Sequence, residues 1–123
     1  MATIKSFEEI FAWQKARELN REIYLITDKG PFSKDFGLRD QIRRSSISIM
    51  SNIAEGFERR GDREFVRFLN IAKGSCAELK TQLYAANDVG YIDEEKFIFL
   101  MTLANDTGKL LQGFKSYLNQ SKI

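Results

Sequence analysis

The segment 37–56 constrains the fold of this chain most, because it carries two helical stripes at once. Leu38, Ile42, Ile49 and Ile53 recur as one apolar face. Beside them Gln41, Ser45, Ser48, Asn52 and Glu55 follow at steps of four, three, four and three, which makes a second stripe on the same helix. A solvated helix surface is normally rich in Lys and Glu. A stripe of short polar side chains indicates instead that something packs closely there: another helix, another subunit or a ligand.

Three more segments repeat the helical period. Ala12, Ala16, Leu19, Ile23 and Ile26 form a seam, with Ser6 and Glu9 at capping-box spacing before it and Gly30-Pro31 as the stop behind it. Residues 32–36 read as a loop. After the turn at Glu58-Arg59-Arg60-Gly61, Asp62 is the expected N-cap of a third helix. Its seam is Phe65, Phe68, Leu69, Ala72, Cys76, Leu79, Leu83 and Ala86, and Gly90 ends it. Asp93 then caps a fourth helix, carried by Leu100, Ala104, Thr107, Leu111, Phe114 and Leu118. The spacing predicts helices near residues 7–28, 37–58, 62–89 and 93–120, with no competing strand pattern. Four helices with short connections predict an all-α fold, an antiparallel up-down-up-down four-helix bundle forming one domain over residues 1–123.

Two helices carry more apolar surface than one seam needs. Phe99, Leu103, Leu110 and Tyr117 form a shoulder on the fourth, and Trp13 and Tyr24 lie off the seam of the first. A small bundle buries wide stripes, and a subunit interface also needs a second apolar strip. The expected interface set is therefore Trp13, Tyr24, Gln41, Ser45, Ser48, Asn52, Glu55, Phe99, Leu103, Leu110 and Tyr117.

The chain has no histidine and one cysteine. That removes His-based nucleophilic triads and the common metal sites, so no catalytic residue, metal or cofactor is expected. Cys76 falls on the third seam and reads as a small buried hydrophobe. Glu55 and Glu78 suit ion pairs better than a di-metal site, which would need Glu-x-x-His. Arg60-Gly61-Asp62 spells an integrin-type tripeptide, a match short enough to arise by chance. With no apolar run long enough for a membrane, no apolar leader and no disulfide, a cytoplasmic location is expected.

Charge is uneven although the net is only +2. Seven of nine arginines lie between residues 39 and 67, against five acids. Arg39, Arg43, Arg44, Arg59, Arg60, Arg63 and Arg67, with Lys73, are the candidate contacts to a nucleic-acid backbone. The competing role for them is solvated surface or intersubunit salt bridges with Asp40, Glu58 and Glu64.

Several runs together resemble a known family. They are Phe11-Ala12-Trp13-Gln14-Lys15-Ala16, Gln41-Ile42-Arg43-Arg44-Ser45, Asn52-Ile53-Ala54-Glu55-Gly56, Phe68-Leu69-Asn70-Ile71-Ala72-Lys73-Gly74-Ser75 and Glu78-Leu79. The chain resembles the four helix bundle proteins, also called the 23S rRNA intervening-sequence protein family, over nearly its whole length. Ser45-Ser46 stands where that family often has Ala-Ala or Ala-Val. The resemblance implies an antiparallel bundle that assembles as a homopentamer, is bacterial and non-enzymatic, and partners RNA. A relationship to the accessory protein of diversity-generating retroelements implies a reverse transcriptase or other protein as a further partner. A protein-interaction scaffold without nucleic-acid binding is the competing expectation.

Overall fold

The computed structural model describes residues 4–120, which form α1 (Phe11–Thr27), α2 (Phe36–Glu58), α3 (Asp62–Asp88) and α4 (Glu94–Gln120). Short 3-10 turns at Phe7–Glu9 and Pro31–Lys34 precede α1 and α2. Among the described residues there is no strand. Sequential helices are neighbours and α4 closes onto α1, which gives the up-down-up-down bundle. The four seams meet in one core, where Leu19, Ile49, Leu79 and Leu111 are fully buried. Cys76 lies in this core and its S–H donates to the carbonyl of Ala104 at 3.2 Å. Burial pushes its thiol pKa up, as expected of an inert buried cysteine.

Three helix starts depart from the sequence expectation. The Ser6–Glu9 capping box does not form. Ser6 makes no side-chain cap bond, and the Glu9 carboxylate accepts from the backbone N–H of Lys5 at 3.3 Å. The reason is Ile10, which is 2% exposed in extended backbone and drives into the core before the helix can begin at Phe11. The second departure is at α3. Gly61 is the N-cap and Asp62 the first helical residue, so the chain enters α3 one residue earlier than expected. The left-handed backbone of Arg60, at φ 59, makes the reversal from α2.

The third departure is at α2. Residues 32–36 are not an open loop: the 3-10 turn drives Phe32 into the core at 1% exposure, where it stacks on Tyr91 at 5.1 Å. The Tyr91 hydroxyl donates to Asp35 Oδ2 at 2.8 Å, and Asp35 Oδ1 accepts the Leu38 N–H at 3.1 Å. Asp35 is thus the N-cap of α2. These bonds, the Leu38 N–H first, lower the Asp35 pKa, while the bond to Asp35 raises that of Tyr91.

The remaining punctuation follows the sequence. Gly90, at φ 81, donates to the Asn87 carbonyl and Tyr91 to that of Ala86, a Schellman ending for α3. Asp93 caps α4 by accepting the Lys96 N–H at 2.8 Å. At the far end of the bundle Phe57, Phe65 and Phe114 pack edge to face, at 6.1 and 5.2 Å.

Candidate nucleic-acid interface

Helix α2 touches α1 on one side and α3 on the other, and its two seams are built differently. The α2–α3 seam is close. Gly56 faces Phe65 and Phe68; a Cβ there would stand 2.7 Å from the Phe68 Cβ. Ser48 and Ser75 share a hydrogen bond of 2.7 Å, and Asn52 Nδ2 donates to the Ser48 carbonyl at 2.8 Å. Ser45 is buried. The small polar stripe thus packs against another helix of the same chain, one of the three readings the sequence leaves open. Its outer members, Gln41 and Glu55, are exposed.

The expected cations fall into separate groups. Arg59 pairs with Glu55 at 2.9 Å and Arg67 with Glu64 at 3.2 Å, and both guanidiniums lie over the ring of Phe68. The Glu64 pKa is lowered by the hydrogen bond from Arg67, helped by the charges of Arg67, Arg59 and Arg63. Arg60 and Arg63 are exposed at the same turn. Arg44 lies on the α3 side of α2, in a polar groove of about 420 Å³ with Gln41, Ser48, Glu78 and Gln82. The Gln82 Oε1 is buried and has no hydrogen-bond partner among the described residues. Lys73 faces α4, where its ammonium donates to Gln112, away from the arginines.

Arg43 belongs to the opposite seam, and Arg39 to the 3-10 turn that precedes α2. Arg43 Nε donates to the buried Thr27 hydroxyl at 2.8 Å, and its guanidinium lies 4.5 Å over the Tyr24 ring. Arg39 donates to the Ser33 carbonyl at 2.9 Å, pairs with Asp40 at 3.0 Å and lies over Phe36. Sixteen residues of helix separate Arg43 from Arg59, about 24 Å, so the expected set is not one continuous face.

Two arginines escaped the sequence expectation. Arg17 and Arg21 are exposed on α1 and line a groove of about 750 Å³ with Gln14, Glu18, Asn20, Tyr24 and Met50. Arg17 lies 5.7 Å over Trp13. The signal was present: residues 13, 17, 21 and 24 follow at steps of four, four and three, one strip of a helix. Among the described residues Arg17, Arg21, Arg43, Arg44, Arg60 and Arg63 carry no ion pair.

The expected apolar interface set also divides. Leu103 is a correction: it is 6% exposed and belongs to the core of the single chain, because α4 packs against both α3 and α1 and buries a wide stripe. Leu110 is half-buried against the core, whereas Phe99 and Tyr117 are 43% and 38% exposed. Trp13 is half-buried edge-on to Phe7, and Tyr24 sits beneath Arg43. Leu110 and Tyr117 join Ile10, Phe11 and Phe114 in an open apolar groove of about 480 Å³ between α1 and α4. Phe11 lies outside the seam period and was not expected there.

These features define a class: an all-α bundle whose polar surface is organised by arginine. Among the described residues no group of three potential metal ligands occurs, and no helix is long and apolar enough to cross a membrane. More particularly, the chain belongs to the family of 23S rRNA-intervening sequence proteins, whose model matches residues 8–113. A solved structure of a protein with unknown function, from the S23 ribosomal protein family of Bacteroides thetaiotaomicron VPI-5482, is 26% identical. It aligns with a TM-score of 0.78, over 85% of this chain and 95% of that one. No curated protein matches the chain.

Proposed function

We propose that this chain is a non-enzymatic, homo-oligomeric accessory protein of the bacterial cytoplasm that associates with RNA. The observation that carries the reading is the set of arginines without carboxylate partners among the described residues, which leaves positive charge for a phosphate backbone. The family's name, which refers to intervening sequences of 23S rRNA, supports RNA as the polyanion. A homopentamer follows from the family resemblance. Its contact residues are drawn from the exposed apolar positions of α4, Phe99 and Tyr117, with Leu110. Repetition in a ring would multiply modest single-site contacts. A reverse transcriptase is the protein partner that the resemblance adds.

A scaffold for another protein is the second reading. The apolar groove around Phe11 and Tyr117, and the internal pairing of Arg59 and Arg67, favour it. A gel shift with structured RNA at two salt concentrations separates the two. RNA binding that falls steeply with salt is expected, and absence of binding leaves the scaffold. The Arg43→Ala/Arg44→Ala and Arg59→Ala/Arg60→Ala pairs, checked for unchanged assembly, then assign the site. Sedimentation of the wild type as a 14.2 kDa monomer would refute the oligomer.

A further inference from the structure

The α1–α2 groove combines features found nowhere else on the described surface. Arg17 and Arg21 line it and Arg43 reaches its edge over the lining Tyr24 ring; none of the three has an ion pair among the described residues. Two of them lie over aromatic rings: Arg17 5.7 Å from the centre of Trp13 and Arg43 4.5 Å from that of Tyr24. The carboxylate that lines the groove, Glu18, is already paired with Lys15 at 3.2 Å. Arg43 is half-buried, and its recorded partners are the neutral Thr27 hydroxyl and the Tyr24 ring. A cation partly removed from water with only neutral partners attracts an anion more strongly than a fully solvated one.

We propose that this groove is a track for single-stranded RNA. Arg17, Arg21 and Arg43 meet phosphates, and Trp13 and Tyr24 with their guanidinium covers stack unpaired bases. The proposal rests on the RNA reading above and names the form of RNA and its site. Charge alone would serve a duplex equally well. The rings decide for a single strand, since a duplex hides its base faces, whereas aromatic rings and guanidinium planes take unstacked bases of any sequence. Arg17 and Arg21 stand one helical turn apart, about 6 Å, so neighbouring phosphates of an extended strand can each meet one.

Trp13 is the only tryptophan, and it sits beside this groove under the lining Arg17, so its emission reports on that end of the strip. The experiment titrates the full-length protein with labelled oligouridylate, the same strand annealed to oligoadenylate, and oligothymidylate, at about 50 and about 200 mM salt. Polarisation and Trp13 quenching are both read. Wild type is expected to bind the single RNA strand most tightly, with quenching. Arg17→Gln/Arg21→Gln should weaken it about tenfold and reduce the salt slope by about 1.4. Tyr24→Leu, with folding confirmed by circular dichroism, should weaken it by a similar factor. Arg59→Gln/Arg63→Gln should leave binding unchanged. If wild type binds but only the Arg59/Arg63 pair matters, the groove is overturned and the RNA reading stands. No RNA binding by wild type overturns both. Equal or tighter binding of the duplex or the DNA overturns the assignment to single-stranded RNA. A changed oligomeric state in Arg17→Gln/Arg21→Gln overturns it too, since the strip would then be a subunit contact.

Discussion

The two seams of α2 solve the same packing problem with opposite chemistry. Toward α3, small residues let two backbones close in, and Arg59 and Arg67 are neutralised by carboxylates on their own helices, while Arg44, Arg60 and Arg63 have no ion pair among the described residues. Toward α1, Ser46 donates to Asn20 at 2.7 Å, and Arg43 is bound by a hydroxyl and a ring that leave its charge unmatched. Proximity of Arg and Glu in sequence therefore marks surface that has spent its charge internally. Arg43, stacked on Tyr24 across the α1–α2 seam with no carboxylate paired to it among the described residues, marks surface that keeps it. This difference is what moves the candidate interface from the α2–α3 turn to the α1–α2 groove.

Four perturbations test that comparison, beginning with the core the seams share. Leu79→Ala or Leu111→Ala should destabilise the bundle by about 2–5 kcal/mol in chemical denaturation, because both side chains are fully buried. Next is Gly56→Ala. The gain in helix propensity, about 1 kcal/mol, is outweighed because the new methyl meets a Cβ that cannot swing aside. A net loss of about 1–3 kcal/mol is expected. Gly74→Ala on the open face of α3, with nothing within 4 Å, should instead stabilise by about 0.5–1 kcal/mol.

The arginines themselves come third. Arg43→Ala removes a hydrogen bond to a buried hydroxyl and a stacking contact, and should cost about 1–2 kcal/mol. Arg59→Ala loses a half-exposed ion pair and the contact with the Phe68 ring, and should cost less, about 0.5–1 kcal/mol. Equal costs would mean the seams do not differ as described. The smallest effect is titration of the Asp35–Tyr91 bond. Asp35 has a lowered pKa, so its stabilisation is present above pH 3.8 and is lost as pH falls through its folded value. Tyr91 has a raised pKa, so its share is present below pH 10 and is lost as pH rises through its folded value. Melting temperatures of wild type and Tyr91→Phe should differ at neutral pH and converge at both extremes.

Periodicity made the four helices legible, and Gly90 and Asp93 made one connection legible, because those signals are local. What escaped reading depends on tertiary placement. Ile10 and Phe32 are apolar residues outside any period, buried because the bundle offers them room. Asp35 stands three residues before Leu38, so its cap was available from spacing, but the Tyr91 hydroxyl that braces it comes from the far side of the fold. The pairs Glu55–Arg59 and Glu64–Arg67 have helical spacing and could be read as such. The stack of Arg43 on Tyr24 joins different helices and could not. Arg17 and Arg21 lie outside the arginine-dense window after residue 39, and only their place on one helical strip with Trp13 and Tyr24 marks them in the sequence.

The aromatic groups at the two ends of the bundle bear on how it opens. Helices usually fray from their termini, where the last backbone groups lack intrahelical partners. Here Phe32 on Tyr91 stops one end, and Phe57, Phe65 and Phe114 stop the other. Each stopper joins segments distant in sequence, so a single helix cannot peel away without uncorking its neighbours. Amides near both ends of α2 should consequently exchange with solvent at rates close to those of its middle, and the bundle should open as one cooperative unit.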